Sequence, residues 1–199
     1  DEVLSYDYSA GDGQDLAKMN RVRYDFGYAA DGAGRAYAIG GIGVRDDGEV
    51  WSQAERYDPA ADTWTPIAPM PQAVHGMSAI GDGAGHIYVF GGSTTLDDTG
   101  IQGTSFAYDV STDTWIPIAS MPVATRDSAV TIDDQGAIYV LGGMSSAGAT
   151  DAVQVYDPSA DSWTTQSPLP EPIYSHAAAY DSLARIVVAG GFDATGTAT

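Results

Sequence analysis

The stretch "YVFGGS", residues 88–93, reads as a short apolar strand that ends in two glycines. Near-copies begin at three other places: "YAIGGI" at Tyr37, "YVLGGM" at Tyr139 and "VVAGGF" at Val187. The successive glycine pairs are 51, 51 and 48 residues apart. A regular spacing of this size is typical of a repeat architecture, in which each repeat is one supersecondary unit. The chain of 199 residues therefore contains four related units.

Three further markers keep the same spacing and the same order within the units. They are a Tyr-Asp pair, a tryptophan six residues beyond that Asp, and a Met-Pro or Leu-Pro pair. Their positions are Tyr57-Asp58, Tyr108-Asp109 and Tyr156-Asp157; Trp64, Trp115 and Trp163; and Met70-Pro71, Met121-Pro122 and Leu169-Pro170. Because four independent markers agree, the repeat is not a coincidence of composition.

The second unit predicts four β-strands, lettered a to d in chain order. Strand a is expected over 73–80, strand b over 86–90, strand c over 103–109 and strand d over 114–118. The "GDGAG" turn between strands a and b contains Asp-Gly, which is typical of a tight hairpin. Strand b is apolar on both faces, as in a sheet that is covered on both sides. The sequence therefore predicts an all-β fold of four-stranded antiparallel units.

Units of about 50 residues with four antiparallel strands match the blades of a β-propeller. The double glycine, the Tyr-Asp pair, the tryptophan and the Met-Pro together resemble the kelch repeat over nearly the whole chain. The resemblance implies that the glycines end strand b and that the tyrosines and tryptophans pack between blades. The residues to which it assigns this structural role are Gly40, Gly41, Gly91, Gly92, Gly142, Gly143, Gly190, Gly191, Trp64, Trp115, Trp163, Tyr57, Tyr108 and Tyr156.

Two features depart from the kelch pattern. The family usually carries an arginine four residues after the Met of Met-Pro, and here only Arg23 keeps it; the other units hold Val74, Thr125 and Ile173. The N-terminal part is degenerate as well, because Gly13 stands where a tryptophan is expected.

The two ends of the chain read as halves of one repeat. The last residues joined to the first give "ATDEVLSYD", which aligns with "ATDAVQVYD" of the third unit. We therefore expect a single domain, 1–199, with units at approximately 21–70, 71–121, 122–170, and 171–199 joined with 1–20. Either the N-terminal strands complete the last blade and close a ring of four, or the residues are a segment of a larger propeller. A third arrangement joins two chains into one ring. The start "DEVLSYDY", without Met or a signal peptide, is expected of a processed or excised form.

The charge of the chain restricts the partners that it can bind. There are 27 acidic residues, 23 of them Asp, against seven Arg and one Lys, for a net charge of −19. Such a field repels phosphate backbones and anionic lipid surfaces, so we expect neither nucleic-acid binding nor membrane insertion. Cysteine is absent, which excludes disulfides and thiolate metal sites. The lysine-poor acidic composition suggests an extracellular or cell-surface protein, with a bacterial source as our interpretation.

The candidate ligand-binding residues lie five residues after each Met or Leu of the Met-Pro marker. They are Tyr24, His75, Arg126 and Tyr174, with Arg23 and His176 as neighbouring candidates. In a propeller, strand a is normally innermost, so these residues are expected at the mouth of the central channel. They are polar or aromatic and differ between units, which suits stacking on a sugar or a small polar ligand. The alternative is that they only fill and hydrate a narrow channel mouth.

Metal and catalytic motifs are weak. The three histidines lack the spacing of a metal site, and we expect no cofactor. The acidic stretches "RDDGE" (45–49), "LDDTG" (96–100) and "IDDQG" (132–136) leave Ca²⁺ ligation as an alternative to solvated turns. There is no G-x-S-x-G and no phosphate-binding loop, so no catalytic residues are assigned.

Three functions remain open at the level of sequence. The first is a non-catalytic recognition or scaffold propeller that binds a protein or a glycan through its loops or channel mouth. The second is an enzyme that acts on a sugar or another small metabolite in the central pocket. The third is a structural repeat unit of an extracellular assembly, which would involve self-association.

Overall fold

The computed structural model describes residues 4–7, 12–44, 48–181 and 183–199. Within these ranges the regular elements are short β-strands. In chain order they are β1 (Leu4–Asp7), β2 (Asp12–Asp15), β3 (Arg23–Tyr24), β4 (Gly27–Ala30), β5 (Ala36–Ile39), β6 (Ile42–Gly43), β7 (Ala54–Asp58), β8 (Thr63–Ile67), β9 (Ser78–Gly81), β10 (His86–Phe90), β11 (Ser105–Asp109), β12 (Thr114–Ile118), β13 (Ala129–Ile132), β14 (Ile138–Leu141), β15 (Met144–Ser145), β16 (Gly148–Ala149), β17 (Val153–Asp157), β18 (Ser162–Thr165), β19 (Ile173–Tyr174), β20 (Ala177–Tyr180), β21 (Ile186–Ala189) and β22 (Phe192–Asp193). The described residues contain no helix of the length and apolarity that a membrane crossing requires.

Three complete antiparallel sheets of four strands form the body of the structure. Their strand orders are β4-β5-β7-β8, β9-β10-β11-β12 and β13-β14-β17-β18, and we call them blades 1 to 3. The pair β20-β21 supplies strands a and b of blade 4. Strands a of successive blades, β4, β9, β13 and β20, pack side by side. Residues of all four strands line one open cavity, so the innermost strands face a common channel.

The predicted strands of the second unit agree closely with the observed ones, except at strand a. Strands b and d have the expected bounds, 86–90 and 114–118, and strand c begins two residues later, at Ser105. Strand a begins at Ser78 and not at residue 73. The reason is Gly76, whose φ of +63° lies in the left-handed region and interrupts the extended backbone.

The apolar core lies between the blades. In β10, Ile87 and Val89 pack into a cluster with residues of blade 1, whereas Tyr88 and Phe90 pack into a cluster with residues of blade 3. Successive side chains of a strand point to opposite faces of the sheet. Strand b is apolar on both faces because each face is covered by a neighbouring blade.

The two glycines after strand b allow adjacent blades to approach closely. A Cβ added at Gly142 would lie 2.4 Å from the carbonyl oxygen of Ile173, in the segment that leads into blade 4. The second glycine, Gly143, donates its N–H to the same oxygen at 2.8 Å. The equivalent bonds at the other junctions run from Gly41 to Val74 and from Gly92 to Thr125. Glycine is required here because a side chain would hold the two backbones apart.

A set of three hydrogen bonds, which we call the Trp–Asp–Tyr latch, joins each complete blade to the chain before it. In blade 1, Trp64 donates its indole N–H to the carbonyl of Ala17 at 2.9 Å, and Asp62 accepts the N–H of Ala17 at 2.8 Å. Asp62 also accepts the hydroxyl of Tyr57 at 2.8 Å. In blades 2 and 3 the same bonds are made by Trp115, Asp113 and Tyr108 around Ala68, and by Trp163, Asp161 and Tyr156 around Ala119.

The ring is not closed by the N-terminal strands in this structure. Strands β1 and β2 pair with each other, and β20 and β21 form a separate two-stranded sheet. A Cβ added at Gly190, the first glycine of the last pair, would meet no atom within 4 Å. Of the arrangements considered for the ends, this structure does not show the pairing of β1 and β2 with β20 and β21.

Candidate functional site

A chain of backbone hydrogen bonds joins the four blades at one end of the channel. The N–H of Gly76 donates to the carbonyl of Asp25 at 3.0 Å, Asp127 donates to Gly76 at 2.8 Å, and Ser175 donates to Asp127 at 2.8 Å. All four residues have a positive φ, between 52° and 63°. Each of them directly follows one of the predicted mouth residues, which places Tyr24, His75, Arg126 and Tyr174 around one opening. We call this opening the mouth.

His75 connects blades 1 and 2 at the mouth. Its Nδ1 lies 2.7 Å from Oδ2 of Asp25, and its Nε2 lies 2.9 Å from the carbonyl oxygen of Thr95. Both neighbours only accept hydrogen bonds, so the ring satisfies both when each nitrogen carries a proton. The hydrogen bond to Asp25 raises the pKa of His75, against the opposing effect of burial. The side chain is only 5% exposed, and the two accepting neighbours favour the protonated ring.

Arg126 makes the corresponding connection between blades 2 and 3. Its Nη2 donates to Oδ2 of Asp98 at 2.6 Å, in the loop that follows strand b of blade 2. Its Nη1 donates to the carboxylate of the adjacent residue, Asp127. Burial raises the pKa of Asp127, and the charge of Arg126 acts in the opposite direction. The His75–Asp25 pair and the ion pairs of Arg126 with Asp98 and Asp127 lie around Gly76, and we call these five residues the mouth network.

Gly76 lies at the centre of the mouth network. A Cβ added there would lie 3.0 Å from Oδ1 of Asp127, 3.3 Å from Cβ of Arg126 and 3.5 Å from Oδ2 of Asp25. The network therefore closes around a position that has no side chain. Glycine at this position allows carboxylates from blades 1 and 3 to approach the same point.

The two tyrosines of the predicted set contribute ring surface at the mouth. The Tyr24 side chain is 54% exposed. The ring of Tyr174 lies 5.6 Å from the ring of Phe192, which is itself 41% exposed. The predicted mouth residues thus fall into two kinds: His75 and Arg126 are held in ion pairs, whereas Tyr24 is exposed and Tyr174 is partly buried beside Phe192.

Arg23 does not reach the opening of the mouth, so the structure does not place it with the other predicted ligand-binding residues. Its side chain is fully buried and donates to the carbonyls of Gly40 at 2.9 Å and Gln53 at 2.6 Å, and to Oε1 of Glu55 at 2.7 Å. Because β3 is extended, Arg23 and Tyr24 point to opposite sides of the strand. Arg23 therefore stabilises blade 1 from within, while Tyr24 reaches solvent.

His176 lies inside the channel wall, between blades 3 and 4. Its Cε1 would be 2.9 Å from a Cβ added at Gly142, and neither ring nitrogen has a hydrogen-bond partner among the described residues. Burial lowers the pKa of His176, so the neutral ring is favoured. The residue lines an open cavity of about 480 Å³ whose wall is built mainly from small strand-a side chains such as Ala29, Ala79 and Ala129.

Several carboxylates of the acidic turns considered for Ca²⁺ are bonded within their own turns, whereas Asp98 of "LDDTG" pairs with Arg126. Asp133 of "IDDQG" accepts the N–H groups of Gln135 and Ala137, each at 2.9 Å. Asp97 of "LDDTG" accepts the hydroxyl of Thr99 at 2.8 Å. In "RDDGE", residues 45–47 lie outside the described residues. Over the part of the chain that the structure describes, there is no group of three or more His, Asp or Glu side chains placed to hold a metal ion.

The carboxylates of the mouth network were not among the predicted site residues. Asp25 and Asp127 follow the predicted residues Tyr24 and Arg126 directly, and Asp98 lies in a stretch that we considered only for Ca²⁺. One signal was available. The residues after the four mouth positions are Asp25, Gly76, Asp127 and Ser175, and Gly and Asp are types that readily adopt a positive φ.

The fold and the mouth define a class of protein. Antiparallel four-stranded blades that surround a channel, with polar loops at its mouth, are the features of a β-propeller. The chain belongs to the kelch-repeat family, because residues 28–198 match the family model described as the KLHDC2/KLHL20/DRC7 Kelch-repeats domain. The predicted kelch resemblance and the predicted propeller of four-stranded antiparallel blades are both confirmed.

Individual relatives agree with this assignment. Kelch-like protein 35 of Mus musculus is 30% identical, over 58% of this chain and 26% of the relative. Kelch-like protein terF of Aspergillus terreus is 35% identical, over 57% of this chain and 26% of the relative. The chain thus matches about a quarter of the length of these relatives. The solved structure of YjhT superimposes with a TM-score of 0.80 at 20% identity, covering 96% of this chain and 66% of that one, and shows the fold alone.

Proposed function

We propose that this chain is a non-catalytic recognition module that binds a protein partner at the mouth. The observation that carries the proposal is the pairing of His75. A general base needs a free lone pair, and both ring nitrogens of His75 face acceptors, Oδ2 of Asp25 and the carbonyl of Thr95. Arg126 is likewise held between two carboxylates. The cationic groups of the mouth therefore serve to hold the blades in place.

The surface that the mouth presents favours a basic partner. The side chains of Asp25 and Asp98 are 34% and 36% exposed, and Tyr24 lies beside them in sequence with its ring half exposed. Carboxylates next to an aromatic ring attract Lys and Arg side chains through charge and through cation–π contact. The net charge of −19 would also steer a positively charged partner toward the protein. Kelch-repeat relatives typically mediate protein interactions, which supports a protein as the partner.

A binding comparison with synthetic peptides tests this proposal. Lys/Arg-rich peptides and acidic peptides of equal length are measured by biolayer interferometry at low and at physiological salt. We expect the basic peptides alone to bind, and Asp25→Asn or Asp98→Asn to weaken their binding by about 5–10-fold, because each removes a carboxylate that can pair with a cation. Asparagine tolerates a positive φ, so both variants preserve the backbone.

The matched control is Asp134→Asn, which removes one charge from the exposed a–b turn at the other end of blade 3. Its affinity for basic peptides is expected to stay within about twofold, since a distant surface charge is largely screened. An equal loss in all three variants would show a diffuse charge effect and no defined site. Preferential binding of neutral glycans in a parallel array would favour the glycan alternative. Sedimentation of the same samples measures self-association.

A further inference from the structure

We infer that His75 is a pH-dependent anchor that holds the loop 94–100 against the mouth while its imidazole ring is protonated and releases the loop when the ring loses its proton. The inference deepens the proposed function, because that loop carries Asp98 and so controls the shape of the proposed binding face. It stands on the geometry of the imidazole and needs no bound partner.

The two hydrogen bonds of His75 cannot both survive the loss of its proton. The neutral ring has one N–H and one lone pair, whereas its two neighbours, the carboxylate of Asp25 and the carbonyl of Thr95, both accept. A bond to a carboxylate is roughly twice as strong as a bond between neutral groups. The remaining proton therefore stays on Nδ1, facing Asp25. The lone pair of Nε2 then faces the carbonyl oxygen of Thr95, which is repulsive at 2.9 Å.

Charged groups on three elements determine the pH at which His75 loses its proton. Asp25 in the segment before β4 and Asp98 in the loop after β10 favour the charged ring, as does the carbonyl of Thr95. Arg126 and Asp127, in the segment before β13, lie on the third side of Gly76 and largely neutralise each other. The pKa of His75 is raised above its ordinary value of 6.5. The anchor is therefore complete below pH 6.5 and is lost as the pH rises through the raised pKa.

Release at Thr95 acts on the part of the loop that displays Asp98. Ser93 donates its hydroxyl to the same carbonyl of Thr95 at 2.9 Å, and Thr95 Oγ1 accepts the N–H of Gly100 at 2.9 Å. These bonds keep the loop folded after the hydrogen bond between His75 and the Thr95 carbonyl is lost. What changes is the attachment of the loop to blade 1, through His75 and Asp25. Asp98 then remains tied to blade 3 alone, through Arg126.

Hydrogen exchange and nitrogen NMR on the partner-free protein test the anchor. We follow the ¹⁵N shifts of the His75 ring and the exchange of amides 94–100 from about pH 5.5 to about pH 9, a range that brackets histidine titration. After correction for intrinsic exchange rates, protection of the loop should fall by about tenfold or more relative to the β10 amides, the factor for losing one hydrogen bond made by a charged group. His75→Gln should show no such pH dependence. His86→Gln, which removes the histidine paired with Asp82 at the opposite end of blade 2, should behave as the wild type.

Asp25→Asn supplies a second readout if His75→Gln folds poorly. It removes the carboxylate that contributes most to the raised pKa, so the ¹⁵N titration and the loop transition should both move to lower pH. A neutral His75 ring at pH 6, or loop protection that does not change with pH in the wild type, would overturn the anchor. Neither result would change the peptide binding expected at constant pH. The anchor can therefore be rejected while the proposed binding function stands.

Discussion

Strand b of blade 2 and strand b of blade 4 have similar sequences but different surroundings. In β10 the side chains from Ile87 to Phe90 are buried, and Tyr88 is 6% exposed. Val187, the residue of β21 equivalent to Tyr88, is 51% exposed. The difference shows that the side chains of strand b are buried only where an adjacent blade covers each face of the sheet. Stability in such arrays is a sum over repeats and the interfaces between them.

The largest effect is expected from the first glycines of two pairs. Gly142 and Gly190 have φ values of +58° and +69°, so alanine introduces similar backbone strain at both, about 1–2 kcal/mol. At Gly142 the new Cβ also meets the Ile173 carbonyl at 2.4 Å, whereas at Gly190 it meets nothing within 4 Å. We expect Gly142→Ala to lower the free energy of unfolding by about 3–4 kcal/mol and Gly190→Ala by about 1–2 kcal/mol. Urea unfolding of both variants measures the difference. Equal losses would mean that the close approach between blades 3 and 4 contributes nothing.

Added salt should increase the stability of the folded protein as a whole, without distinguishing one blade from another. A net charge of −19 makes the folded state repel itself, and screening relieves that repulsion. Raising NaCl from about 0.01 M to about 1 M, which shortens the Debye length from about 30 Å to about 3 Å, should stabilise the protein by roughly 2 kcal/mol. Thermal unfolding followed by circular dichroism measures the shift. The gap between wild type and Gly142→Ala should stay constant, because it is steric. A melting temperature that does not rise with salt would contradict the role given to the charge.

The smallest effect is expected from two tyrosine hydroxyls. Tyr156 is buried and donates to Asp161 in the Trp–Asp–Tyr latch at 2.8 Å, so Tyr156→Phe should cost about 1 kcal/mol in unfolding free energy. The hydroxyl of Tyr180, on β20, makes a long, exposed bond of 3.3 Å to Asp134, so Tyr180→Phe should cost less than about 0.5 kcal/mol. Chemical denaturation of the two variants side by side ranks them. The reverse order would show that the latch bond is offset by desolvation of its partners.

Much of the fold could be predicted from the sequence, because the period of the glycine pairs sets the blades and the Asp-Gly turns set the hairpins. Strands b and d of the second unit fall at the expected residues, since their apolar patterns are clear. The start of strand a was wrong, because the left-handed Gly76 lies inside an apolar stretch that reads as continuous. The state of the chain ends was open for a different reason. The relative placement of blades depends on contacts between repeats, so the sequence of a single repeat does not determine how the chain ends meet.

The site was predictable in position but not in its chemistry. The spacing from the Met-Pro marker located His75 and Arg126 at the mouth. Their partners Asp25 and Asp98 belong to other blades or loops, at sequence separations of 50 and 28, and no local pattern relates them. Arg23 was misplaced because adjacency in sequence was taken for adjacency in space, although alternation along an extended strand separates neighbouring side chains.

The Trp–Asp–Tyr latch has a consequence for synthesis. The tryptophan that holds each Ala carbonyl lies 47, 47 and 44 residues further along the chain. At a synthesis rate of about 5–20 residues per second, several seconds pass between the addition of each of these Ala residues and the addition of the tryptophan that donates to its carbonyl. Assembly therefore has a direction. Each blade becomes fixed only when its successor has emerged, and the most recently made sheet is always the one still free to rearrange.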